Sequence, residues 1–195
     1  MKNNIFQIDT NWVVITGAPS SGKTSVIDVL ARRGYATWPE TARQVIEEKL
    51  KSGQTIKDIR RPELAAALQK EILMRKENLE HTLDPAQQVF LDRGMPDSLS
   101  YFRLANIADL TSVRNACLRF RYRQVFIFDR LPMVHDAVRS ENEETAKRLD
   151  TMIEEDYRSL GYTPIRVGVM TIEERADFVL ARSALSTPAE SAAAL

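Results

Sequence analysis

Cysteine is almost missing from this chain. Cys117 is the only one, so no internal disulfide can form and a reducing compartment is expected. No cluster of histidines, cysteines and acidic residues has zinc-ligand spacing, which argues against a structural metal site. Long apolar runs are missing too. The opening MKNNIFQIDTN has no apolar stretch suited to a signal peptide, and no later run approaches a membrane span, so a cytoplasmic protein is expected. Charge of one sign is also lacking. Lysine plus arginine, 27 in all, balances 27 aspartates plus glutamates, and nothing in that balance calls for nucleic acid or an anionic membrane as partner. What remains is 195 residues, 44% hydrophobic and 28% charged, enough for one domain with a full core.

Strand-like apolar runs recur at Trp12 to Thr16, Tyr35 to Trp38, Gln88 to Leu91, Gln124 to Phe128 and Ile165 to Val169. Helical patterns follow at Thr24 to Arg33, Thr41 to Leu50, Pro62 to Glu80, Asp97 to Ala105, Thr111 to Arg121, Glu143 to Leu160 and Ile172 to Ser183. Strand alternating with helix predicts an α/β fold, a parallel sheet covered on both faces. Residues 1–183 read as one domain. The helical stretch over 41–81 exceeds a minimal crossover and suggests a cap on the substrate side, while 184–195 reads as a frayed tail.

Between the first strand and helix stands GAPSSGKT, residues 17–24, with G-x-x-x-x-G-K-T spacing. Such a loop turns successive backbone N–H groups around an anion, and the following helix adds its positive end. The expected nucleotide-binding residues are Gly17, Ala18, Pro19, Ser20, Ser21, Gly22, Lys23, Thr24 and Ser25. Lys23 is expected to reach the β- and γ-phosphates of ATP, and Thr24 to put its hydroxyl on Mg²⁺.

In an open parallel sheet, ligands bind beyond the carboxyl ends of the strands. VFLDRG puts Asp92 there as a carboxylate supporting Mg²⁺. Next to it stands Arg93, which cannot act as a base toward water. WPETAR puts Glu40 after the second strand, able to receive a proton from a substrate hydroxyl or to serve as an ordinary helix N-terminal carboxylate. Arg43 lies one turn further along the same face. Asp97 and Tyr101 are one turn apart on the helix leaving the third strand, as substrate contacts or as N-cap and core. Arg130 and Arg139 flank a charged segment after the fourth strand, where cations could neutralise a transferred phosphoryl group. Arg114, Arg119, Arg121 and Arg123 sit beside Phe120 and Tyr122, a mixture that can hold single-stranded nucleic acid or can simply be the solvated face of a helix.

Taken together, GAPSSGKT, WPETAR, FLDRGMPDSLSY, DRLPMVHDAVR and VGVMTIEERADFVLAR resemble the P-loop group containing NadR-type nicotinamide riboside kinase domains and AAA-type ATP-binding proteins. Deoxynucleoside and thymidylate kinases look like more distant relatives. The resemblance implies strand order 2-3-1-4-5, a lid over 130–142 and an adenine-side loop around Val169 to Ile172. It also implies a kinase acting on a small hydroxylated metabolite, nucleoside- or riboside-like. Asp92 would then support the metal, Glu40 or Asp92 would receive the acceptor proton, and Arg93, Arg130 and Arg139 would orient oxygens. Glu40, Arg43, Asp92, Arg93, Asp97 and Tyr101 would line the acceptor. The alternative is a slow ATPase or a nucleotide-dependent regulatory protein with no small acceptor.

Overall fold

The computed structural model describes residues 6–59, 61–131 and 143–184. The elements run β1 (Ile8–Asp9), β2 (Val13–Thr16), α1 (Lys23–Arg32), β3 (Thr37–Trp38), α2 (Thr41–Lys51), α3 (Ile56–Ile59), α4 (Pro62–Thr82) and β4 (Phe90–Asp92). They continue as α5 (Asp97–Leu104), α6 (Leu110–Cys117), β5 (Phe120–Arg121), β6 (Gln124–Phe128), α7 (Glu143–Ser159), β7 (Ile165–Val167) and α8 (Ile172–Ser183). Five strands form one parallel sheet in the order β3-β4-β2-β6-β7. Numbered within that sheet this is 2-3-1-4-5, as the resemblance implied.

Period-2 alternation sends successive strand residues to opposite faces. Trp12, Val14, Leu91, Val125 and Ile127 face one core cluster, which Leu99, Phe102, Leu149 and Ile153 of α5 and α7 complete. Val13, Ile15, Phe90, Phe126 and Phe128 face the other, covered by Val26, Ile27 and Leu30 of α1 and Ala176 and Val179 of α8. Both faces are buried, which is why these strands read as continuous apolar runs. A third, smaller cluster of Val45, Ile59, Leu68 and Ile72 joins α2, α3 and α4 apart from the sheet.

One expected helix differs. The pattern over Thr111 to Arg121 ends at Cys117, and Phe120–Arg121 form β5 paired with β1. That pairing joins residues more than a hundred positions apart, a signal that helical periodicity cannot carry. Of the expected lid, residues 132–142 lie outside the described residues, as does the tail from residue 185. No described helix is long and apolar enough to cross a membrane.

Candidate active site at the carboxyl ends of the strands

β2 delivers the chain into the glycine-rich loop, and two positions there exclude other residues. Gly17 has φ +137°, and a Cβ on it would lie 2.6 Å from the Phe128 carbonyl oxygen. Gly22, at φ +80°, ends the loop as the N-cap of α1. Such left-handed backbone is open to glycine at little cost. Loop carbonyls are tied outward: Arg93 Nη1 donates to Gly17 O at 3.0 Å and the Leu131 N–H to Ser20 O at 3.3 Å.

Lys23 is buried, its Nζ donating to Ala18 O at 2.9 Å and to Ser21 Oγ at 3.0 Å. Burial first, and then the neighbouring Arg93 charge, lower its pKa to about 7. Thr24 Oγ1 donates to Asp92 Oδ2 at 2.8 Å, while Asp92 Oδ1 is buried with no partner among the described residues. Burial and the nearby Glu40 carboxylate raise the Asp92 pKa. An unsatisfied carboxylate oxygen beside a threonine hydroxyl and a phosphate loop is the hard-oxygen donor set that Mg²⁺ takes, so the residues fit that ion.

Between the two halves of the site runs a row of alternating charge. Arg93 adopts φ +71°, an uncommon conformation for a residue with a side chain. Its Nε donates to Glu40 Oε1 at 2.6 Å and its Nη1 to Asp97 Oδ1 at 2.9 Å, with the guanidinium lying over the Tyr101 ring at 5.4 Å. Asp97 is 0% exposed, and it also accepts from Thr16 Oγ1 at 2.5 Å, Tyr157 Oη at 2.8 Å and the Gly94 N–H at 3.2 Å. Burial alone would push its pKa up; Arg93 and Lys76 hold it below the ordinary value. Glu40 follows the same pattern, with Arg93 and then Lys23 outweighing burial. Both are therefore carboxylates held ionised by a shared arginine with a lysine beside it.

The sequence expectations divide accordingly. A cleft of about 820 Å³ is lined by Lys23, Thr24, Glu40, Arg43, Arg93, Tyr101 and Arg130, together with aliphatic side chains of α2 to α4. Asp97 lies beneath the cleft, not on its wall. As the first residue of α5 it makes no cap, Pro96 being the N-cap. Glu40 is the N-cap residue of α2, but its side chain bonds Arg93 instead of capping. Arg130 Nε is buried without a partner among the described residues, and Arg139 lies outside them. In the basic segment, Arg121 stacks on Phe6 and Arg123 donates to Ala184 O at 2.9 Å, both structural contacts. Sequence reasoning missed Lys76, a buried ammonium on α4 that lines the cleft and donates to Gly94 O at 2.7 Å. It also missed Arg175, buried beneath the glycine-rich loop. Their partners are backbone carbonyls, which carry no sequence signature.

The family model described as AAA domain matches residues 12–175. No curated protein matches the chain in sequence. Deoxyadenosine kinase from M. mycoides superposes with TM-score 0.61 and 15% identity, over 88% of this chain and 97% of that one. The NadR protein in complex with NR gives TM-score 0.67 and 17% identity, over 94% of this chain but 54% of the other, so this chain spans about half of it. Thymidylate kinase from Ehrlichia chaffeensis gives 0.57 and 13% over 90% and 98%. At these identities the likeness is one of fold, that of P-loop kinases.

Proposed function

We propose that this chain, which belongs to the AAA domain family, is a phosphotransferase moving the γ-phosphoryl group of ATP to the hydroxyl of a small nucleoside- or riboside-like acceptor. The observation that carries this reading is one continuous cleft. At one end stand Lys23 and Thr24 of the phosphate loop; at the other is a wall of Ala42, Ile46, Ile59, Leu68 and Ile72. On that wall the polar groups are the Gln69 amide, the exposed Arg43 guanidinium and the Lys76 ammonium, the last already donating to Gly94 O. An apolar wall with sparse polar groups suits an acceptor with an uncharged body. The neighbours named as deoxyadenosine and thymidylate kinases lend the same direction by fold.

Phosphoryl transfer depends mainly on position and charge, with little covalent work for the protein. Thr24 and Asp92 would hold Mg²⁺, which when bound neutralises charge on the phosphates. Glu40 stands at the junction of the two halves, where it orients the acceptor hydroxyl and takes its proton late in transfer. Arg93 fixes Glu40 through the 2.6 Å bond and, standing beside Asp92, cannot itself act as a base toward water. Arg130, whose Nε has no partner among the described residues, is available to the transferred oxygens. The test is ADP release from Mg·ATP across nucleosides, nicotinamide riboside and phosphorylated sugars, with products identified by mass. A phosphorylated product from one acceptor supports the reading. A slow rate indifferent to every acceptor would replace it with the ATPase or regulatory alternative.

The low pKa of Lys23, about 7, gives a second expectation. A polyphosphate beside the amine favours its charged form, so above pH 7 nucleotide binding should take up a proton. Affinity should fall as pH rises from 7 toward 9. Titration calorimetry at pH 8 in buffers of different ionisation enthalpy measures that uptake directly. Uptake that survives in Lys23→Met would assign the proton to another group.

A further inference from the structure

The resemblance and the motifs leave Arg175 without a task, yet it is among the largest fully buried side chains, 1% exposed. A buried guanidinium ordinarily meets a carboxylate. This one meets three backbone carbonyls. Nη1 donates to Ser21 O at 2.5 Å, Nε to Gly168 O at 3.0 Å and Nη2 to Asp129 O at 3.2 Å. The cation also lies over the Phe128 ring, 4.9 Å from its centre. Among the described residues it makes no ion pair; the Asp129 carboxylate pairs with Arg166 instead.

The three carbonyls belong to three segments that meet at the site. Ser21 is in the phosphate loop, Asp129 follows β6 and Gly168 follows β7. The Ser21 contact matters most, because a trans peptide sets its C=O and N–H in opposite directions. Holding Ser21 O toward Arg175 turns the Gly22 N–H the other way. Arg93 acts likewise on the Gly17–Ala18 peptide and the Leu131 N–H on Ser20–Ser21. Together these contacts orient the Ala18, Ser21 and Gly22 N–H groups before any anion arrives, and preorganised donors lose least on binding. The Arg175 cation, with no carboxylate on it, adds positive potential under the same loop.

We propose that Arg175 is a positioning residue for the nucleotide phosphates, orienting the Gly22 N–H through Ser21 O and coupling the loop to the segment after β7. The inference deepens the nucleotide-binding part of the function proposed above and does not depend on any acceptor. Replacing Arg175 should weaken nucleotide and leave acceptor binding alone.

Binding of a fluorescent ATP analogue with Mg²⁺ is measured on wild type, Arg175→Ala, Arg175→Lys and Arg182→Ala, the last an exposed arginine on the same helix. Losing a charge-assisted hydrogen bond predicts at least about a tenfold rise in Kd for Arg175→Ala. Arg175→Lys, which keeps the charge but not the fork, should be intermediate, and millimolar guanidinium should restore part of the affinity of Arg175→Ala. In the unliganded protein, hydrogen exchange at the Gly22 amide should quicken in Arg175→Ala while the β2 and β6 amides stay protected, which separates local loosening from unfolding. Unchanged Kd overturns the proposal whatever the Gly22 exchange. So does exchange raised equally through the whole sheet, the mark of a merely structural residue. If wild type binds no nucleotide, this proposal and the kinase reading fail together. If wild type binds nucleotide but phosphorylates nothing, only the kinase reading fails.

Discussion

Replacing Lys23 with alanine is expected to lower turnover by about 10²–10³-fold, the scale on which one preorganised cation or donor at developing charge acts. The loss should fall on kcat as well as on nucleotide affinity, because charge on the bridging and γ-oxygens grows during transfer. Stability should move the other way. Lys23 is buried, and its folded pKa of about 7 lies below the unfolded value of 10.5. Between those pH values the unfolded chain binds a proton that the folded chain does not, so wild-type stability rises as pH rises from 7 toward 10.5. Below pH 7 both states hold the proton, and the cost of burying the charge is present in full. Lys23→Ala lacks the group, so its stability should lose that slope and exceed wild type at pH 6 and 7. Urea titrations at pH 6, 7, 8 and 9 with parallel kinetics measure both effects. Turnover within threefold of wild type would remove Lys23 from the reaction. A Lys23→Ala protein less stable than wild type at pH 6 would show that its bonds to Ala18 and Ser21 outweigh the cost of burying its charge.

Arg93→Met should be the most destabilising single change at the site, by about 3–5 kcal/mol at neutral pH, the range for removing one partner of a buried ion pair. The guanidinium is the shared cation of Glu40 and Asp97 and also holds the Gly17 carbonyl. Without it Asp97 keeps donors from Thr16, Tyr157 and Gly94, but its nearest cation is gone. The pH dependence follows from sign. In wild type the Asp97 pKa is depressed, so its contribution is present above the unfolded value and lost as pH falls through the folded one. In Arg93→Met only Lys76 and the Thr16, Tyr157 and Gly94 donors are left to oppose burial, which raises that pKa relative to wild type. The stability gap between variant and wild type should therefore narrow as pH falls from 7.5 to 5. Arg93→Lys preserves a charge but cannot span Glu40, Asp97 and Gly17 together. It should fold better than Arg93→Met while leaving turnover depressed. A gap under 1 kcal/mol at pH 7.5, or one that widens toward pH 5, would contradict this account.

Sequence and structure agree where the determining forces are local. Period-2 strands buried on both faces, glycines at positive φ and helices opening at Thr41, at Asp97 and within one residue of the expected Thr24 each depend on neighbours within a few positions. Hence the five strands and the phosphate loop were legible, whereas their order 2-3-1-4-5 came with the resemblance and not from local pattern. The helix expected over Thr111 to Arg121 stops at Cys117 because Phe120 pairs with Ile8. Glu40 and Arg93 were visible as residue types at strand ends, but their mutual bond spans 53 positions.

By itself the sequence determined that this chain folds around a nucleotide-type phosphate loop, because glycine spacing, a lysine and a strand-to-helix setting are all written within about a dozen residues. Only the tertiary structure decided what the charges do. Asp97 became a buried brace beneath the cleft, Lys76 its neighbour on the cleft wall, and Arg175 a ligand of the Ser21 carbonyl 154 positions away. The reason is physical: a buried charge takes its state from whatever the fold packs around it, and a backbone carbonyl looks the same in every sequence.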